Sequence, residues 1–132
     1  MTVTPETVLD FWLGDTPTNA ESLKTRNKLW FQKNFETDRE IAETFVPTLA
    51  DLAAGEAKVW AKQGPKQRLA AIIVLDQFSR NIFRGHRFSF AHDKLAHLLT
   101  TAGLAFNDDK QLSEVERVFF YLPLEHSESM ED

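Results

Sequence analysis

The segment LAAIIVLDQFSRNIFRG, Leu69 to Gly85, holds the residues whose types and spacing point most directly to chemistry. Asp76, Gln77, Arg80, Asn81 and Arg84 follow an unbroken apolar run from Leu69 to Leu75. On an α-helix, Leu69, Ile72, Ile73, Asp76 and Arg80 share one face, so Asp76 continues an apolar stripe. A buried carboxylate without a partner is costly, and Arg80, one turn on, is placed to supply the partner. Gln77 and Asn81 are also four apart and are expected to hydrogen-bond each other. Arg84 falls just past the expected helix end, where a cation suits the helix dipole.

The next residues extend the cluster. Arg80, Arg84, Arg87, His86 and His92 lie between positions 80 and 92. A second helix is expected to begin near Ser89 to Ala91, and arginines facing free backbone amides make an anion pocket for a carboxylate or phosphate. A plain structural ion pair, Asp76–Arg80, explains the same residues without a ligand. HSE, His126 to Glu128, is the second candidate: a His with a Glu two residues on can do acid–base work. There is no H-E-x-x-H, so no metal site is expected. Glu116 reads as a capping-box residue, whereas Arg117 can pair Asp76, meet a ligand or reach water. Ser79 and Ser127 lack a G-x-S-x-G context, there is no cysteine, and no glycine-rich phosphate loop occurs, so neither a nucleophile nor a nucleotide cofactor is indicated.

Composition narrows the class. The 132 residues suit one domain, 1–132, large enough for a core without staples. A net charge of -5 argues against nucleic acid as a partner, though not against a local basic pocket. No apolar run approaches the ~20 residues that cross a bilayer, and the N-terminus lacks a signal-peptide pattern. A soluble, cytoplasmic protein with no membrane partner is expected, and the lack of cysteine fits a reducing compartment.

The elements that must position these residues all read as helices. Thr4 and Pro5 open the first, and Gly14 ends it. The DTPTN linker, 15–19, leads to a helix over Glu21 to Gln32 with Leu23, Trp30 and Phe31 facing inward. Thr37 and Glu40 suggest a capping box for a helix kinked at Pro47 and ended before Gly55. Gly64-Pro65 opens a central helix apolar almost all round, which other helices must surround. Ser89 is expected to cap the next helix and Gly103 to end it. Ser113 and Glu116 form a capping box for the last helix, which Pro123 stops, leaving an acidic tail that frays. The fold expected is all-α, six or seven helices in an antiparallel helical-hairpin stack.

VLDFWLG near the start, WF at Trp30-Phe31, LDQFSRNIFRG and VERVFFYLPLEHSE together resemble an uncharacterised, mainly bacterial family, domain of unknown function 924. The similarity spans nearly the whole chain with the motifs in order. The resemblance implies a tetratricopeptide-repeat-like (TPR-like) helical stack. It also implies a shared site of Asp76, Gln77, Arg80, Asn81, Arg84, Glu116, Arg117, His126 and Glu128, in which HSE approaches the DQFxRN helix. Family members commonly continue past HSE with further helix, so this chain is short at its C-terminus by that measure, and self-association into a homo-oligomer could cover its final helix.

Three functions follow as expectations. The first is a binding module holding a peptide or small anionic ligand in an arginine-rich pocket. The second is a small enzyme with His126 as acid–base group, oriented by Asp76 or Glu128. The third is a purely structural role for the Asp76–Arg80 cluster.

Overall fold

The computed structural model describes residues 3–14 and 20–131, with side chains for 3–14 and 26–126. The DTPTN linker and Leu23 therefore lie outside what is described. The chain runs α1 (Pro5–Trp12), α2 (Ala20–Phe31), α3 (Phe35–Asp51), α4 (Ala57–Gln63), α5 (Pro65–Ile73), α6 (Ser79–Ile82), α7 (Asp93–Ala105) and α8 (Glu114–Glu131). No strand occurs among the described residues, and the all-α expectation holds. Because α5 and α6 join through a π turn, Val74–Phe78, they form one run, giving seven rods among the described residues.

Local chemistry explains most of the boundaries. Thr4 caps α1 with a reciprocal bond to Thr7, and Pro5 supplies the preset first turn. The carbonyl ends of α1 are satisfied by α2: Arg26 Nη1 donates to Phe11 O at 2.9 Å, and Trp30 Nε1 to Trp12 O at 2.7 Å. Ser113 and Glu116 exchange bonds at the start of α8 as the capping box requires.

Four expected boundaries move. Asn34, not Thr37, caps α3, accepting from the amides of Glu36 and Thr37. Asn34 sits one turn earlier and satisfies two amides at once. The helix expected from Ser89 begins instead at Asp93, after a 3-10 turn at Arg87–Phe90, and runs past Gly103 to Ala105. Gly103 is a packing residue rather than a stop: a Cβ there would lie 2.6 Å from the Phe120 ring and 2.7 Å from Arg68 Cδ. Pro123 does not stop α8, which continues to Glu131, so HSE lies on a helix and not in a frayed tail. Proline removes one backbone donor, and a helix packed along its length can absorb that loss.

The core forms around α5 and the π turn. Leu69 to Leu75 and Phe78 are completely buried. The α5 rod is covered by α1, α4, α7 and α8. Trp12 links the layers, with its ring edge-on to Phe78 at 5.5 Å and to Phe119 at 5.7 Å. Phe45 closes on Phe78 at 4.6 Å. Such pairs add about 0.5–1.5 kcal/mol each beyond the area they bury. Phe31, expected to face inward, is 64% exposed, while its neighbour Trp30 is buried with its ring edge-on to Phe119 at 5.0 Å. At the α5–α7 contact, Arg68 is buried and pairs with Asp108 at 2.9 Å while donating to Leu99 O at 3.0 Å.

Candidate functional site

Asp76 sits in the middle of the π turn, where the Ser79 amide bonds back to Val74 O, five residues away. Its carboxylate is 1% exposed, and every contact that lowers the cost of its charge comes from a named donor. Oδ1 accepts from Arg80 Nη1 at 2.9 Å and lies 2.8 Å from His126 Nδ1; Oδ2 accepts from Gln77 Nε2 at 2.8 Å. Arg80 is itself shared. Nη1 also donates to Asp76 O at 2.9 Å and to Asp93 Oδ1 at 3.2 Å, and Nη2 donates to Asp93 Oδ2 at 3.1 Å. The guanidinium lies over the Phe90 ring, 5.3 Å from its centroid. One carboxylate thus ties the central helix to the start of α7 through Arg80 and Asp93, and to α8 through His126.

The expected Asp76–Arg80 pair is present, and HSE approaches the DQFxRN helix through His126. The Gln77–Asn81 bond is not formed. Gln77 turns to Asp76, and Asn81 Nδ2 donates to Asp38 Oδ1 at 2.8 Å, because each amide finds a carboxylate, a stronger acceptor than the other amide. The anion at the start of α7 is supplied by the protein itself, as Asp93, whose carboxylate answers both the helix dipole and Arg80. Glu116 and Arg117 belong elsewhere. Glu116 caps α8 and faces Lys66 Nζ at 3.5 Å, while Arg117 Nε donates to Asp109 O at 2.9 Å. They lie roughly 14 Å along α8 from His126, at 1.5 Å of rise per residue. The Glu128 side chain falls outside the described residues.

Arg84 forms a second group with a residue that the sequence did not single out. Its Nε donates to Asp38 Oδ2 at 2.6 Å and its Nη2 to Asp38 Oδ1 at 3.0 Å, a two-pronged pairing with the first turn of α3. Burial opposes charge on Asp38, yet the bonds from Arg84 and Asn81 and the charges of Arg84 and Lys33 outweigh it and hold the carboxyl below its ordinary value. The same bond holds the Arg84 guanidinium above its own. Beside this pair is a cleft of about 350 Å³ lined by Lys33, Phe35, Asp38, Arg39, Asn81 and Arg84, among others. Arg39 also pairs with Glu43 at 3.1 Å in the solvent, and Phe35 is 81% exposed at the rim. No group of three metal-ligating side chains occurs among the described residues. No helix of the described chain is long and apolar enough to cross a membrane.

An all-helical protein with a buried acid–histidine–arginine network and an adjacent basic cleft is the class that this geometry defines. The chain belongs to a bacterial family of unknown function, DUF924, whose model matches residues 8–132. A solved structure of a protein of unknown function from Agrobacterium tumefaciens is similar, at 32% identity and a TM-score of 0.78, over 92% of this chain and 63% of that one. This chain therefore spans less than two thirds of that protein's length. No curated protein matches it.

The lowered Asp38 carboxyl fixes a sign for acid stability. A carboxyl whose folded value lies below its unfolded one stabilises the fold above about pH 4, and that contribution disappears as pH falls through the folded value. Unfolding midpoints followed from about pH 5 downward should fall faster in the parent than in Asp38→Asn. Parallel curves would mean that the Asp38–Arg84 contact carries no charge-linked stability.

Proposed function

We propose that this protein is a binding module for a ligand bearing carboxylate or phosphate, a small anion or an acidic peptide, held in the cleft between α3 and the segment after α6. The observation that carries this reading is the charge of the lining: three cations, Lys33, Arg39 and Arg84, against one carboxylate, in a chain of net charge -5. Asp38 fixes the Arg84 fork rather than cancelling the cleft, and the exposed Phe35 ring offers apolar contact at the rim. The first turn of α3, with its helix-dipole end, adds to the attraction for an anion. Arg80 has no part in this site, since two carboxylates already occupy it. The reading includes a TPR-like helical stack in a cytoplasmic setting.

A second reading has one specific observation behind it. His126 Nδ1 is 2.8 Å from Asp76 Oδ1, its side chain is 26% exposed, and among the described residues no hydrogen bond engages Nε2. An imidazole held this way offers Nε2 as an acid–base group, with Asp76 fixing the tautomer.

Titration calorimetry with citrate, inorganic phosphate and a glutamate-rich peptide tests the first reading. At least one should bind, with affinity that falls steeply with salt and drops at least about tenfold in Lys33→Ala/Arg39→Ala, two exposed changes that spare the Arg84–Asp38 pair. Silence from all three ligands, or binding unchanged in that variant, would remove the cleft as an anion site. For the second reading, nitrogen NMR of the His126 ring at about pH 8 should place the proton on Nδ1 and leave Nε2 bare. A proton on Nε2 would deny it the role of base.

A further inference from the structure

We propose a second ligand site in this protein, a cavity at the far end of α3 that takes a protonated amine also bearing a hydrogen-bond acceptor. The cavity holds about 580 Å³, within the range of small-molecule sites. Val3, Thr48, Asp51, Leu52, Glu56 and Trp60 are among its lining residues. Two of them are polar and more than nine-tenths buried: Thr48 is 6% exposed and Trp60 7%. Among the described residues no hydrogen bond engages Thr48 Oγ1 or Trp60 Nε1. Trp12 Nε1 and Ser79 Oγ, fully buried without partners, lie outside this cavity. The hydroxyl of one buried lining residue and the indole N–H of another have no hydrogen-bond partner among the described residues, and a donor-only indole asks for an acceptor on the ligand.

The charge of the cavity selects the rest of the ligand. Asp51 and Glu56 line it, and no Lys, Arg or His does. The last turn of α3 ends there, so the negative end of its dipole adds to the two carboxylates. The backbone makes the space by breaking the rod: Gly55, at φ 135°, turns the chain from α3 into α4, a conformation costly for any residue with a Cβ. After that break Trp60 of α4 lines the same cavity as Thr48 and Asp51 of α3. An ammonium group held by Asp51 and Glu56, with an oxygen acceptor reaching Trp60 Nε1 and Thr48 Oγ1, satisfies every polar group named.

The test uses the full chain labelled with nitrogen-15, the Trp60 indole signal being identified by its absence in Trp60→Phe. Glucosamine, lysine amide and 2-aminoethanol are the probes, with N-acetylglucosamine as the uncharged comparison. At least one amine should move the Trp60 indole signal saturably below about 10 mM, and Asp51→Asn/Glu56→Gln should weaken that response at least about tenfold. Both positions are exposed, so the double variant keeps the core intact. An indole signal unmoved by all three amines overturns the proposal. So does an equal response to N-acetylglucosamine, or a response undiminished in the double variant.

Discussion

The Asp76 carboxylate is the constraint on which the rest of the arrangement depends. It lies in the middle of the most buried segment of the chain, where an unpaired charge would be untenable. Each of its donors comes with a structural consequence. Arg80 must fold back over the π turn, and its remaining hydrogen-bonding capacity then fixes Asp93 at the start of α7. His126 must come within hydrogen-bond distance, which requires α8 to continue past Pro123. A buried pair of this kind adds little net stability over an apolar replacement, but removing one partner typically costs about 3–5 kcal/mol. Its effect is to determine which helices lie together.

α3 organises the other charges. At 17 residues it is roughly 25 Å long, at 1.5 Å per residue. Its first turn holds Asp38 beside Lys33, Arg39 and Arg84, and its last turn runs into the cavity of Asp51 and Glu56. The basic cleft sits at the end whose dipole is positive and the acidic cavity at the end whose dipole is negative. Basic and acidic side chains thus gather at opposite ends of one element, which the total charge of the chain conceals.

The sequence carried the local half of this account. Asp76 and Arg80 are one turn apart, so helical periodicity alone paired them, and the capping box at Ser113 and the opening at Thr4-Pro5 are equally local signals. Asp38 and Asp93 were not legible as partners. Asp38 is 46 residues from Arg84, and Asp93 is 13 from Arg80, beyond the reach of helical periodicity. The π turn left no mark in the apolar pattern, because residues 69–75 are buried all round and give no face to register. Helical spacing pairs Gln77 with Asn81, yet each amide bonds a carboxylate instead, Asp76 and Asp38, the second of them far along the chain. Pro123 was read by propensity, which tertiary packing overrode. Glu116 and Arg117 entered the site only through the family resemblance; the capping-box reading of Glu116 holds, and both lie away from His126 along α8.

The most direct test of the central claim is a double-mutant cycle between Asp76 and His126, measured as unfolding free energies of the parent, Asp76→Asn, His126→Gln and the double variant. The account predicts that the two changes are coupled, with an interaction energy of about 1–3 kcal/mol, as expected for residues in one hydrogen-bonded network. Additive effects, within about 0.5 kcal/mol, would mean that α8 is held in place without this contact and that the Asp76 carboxylate does not organise the fold.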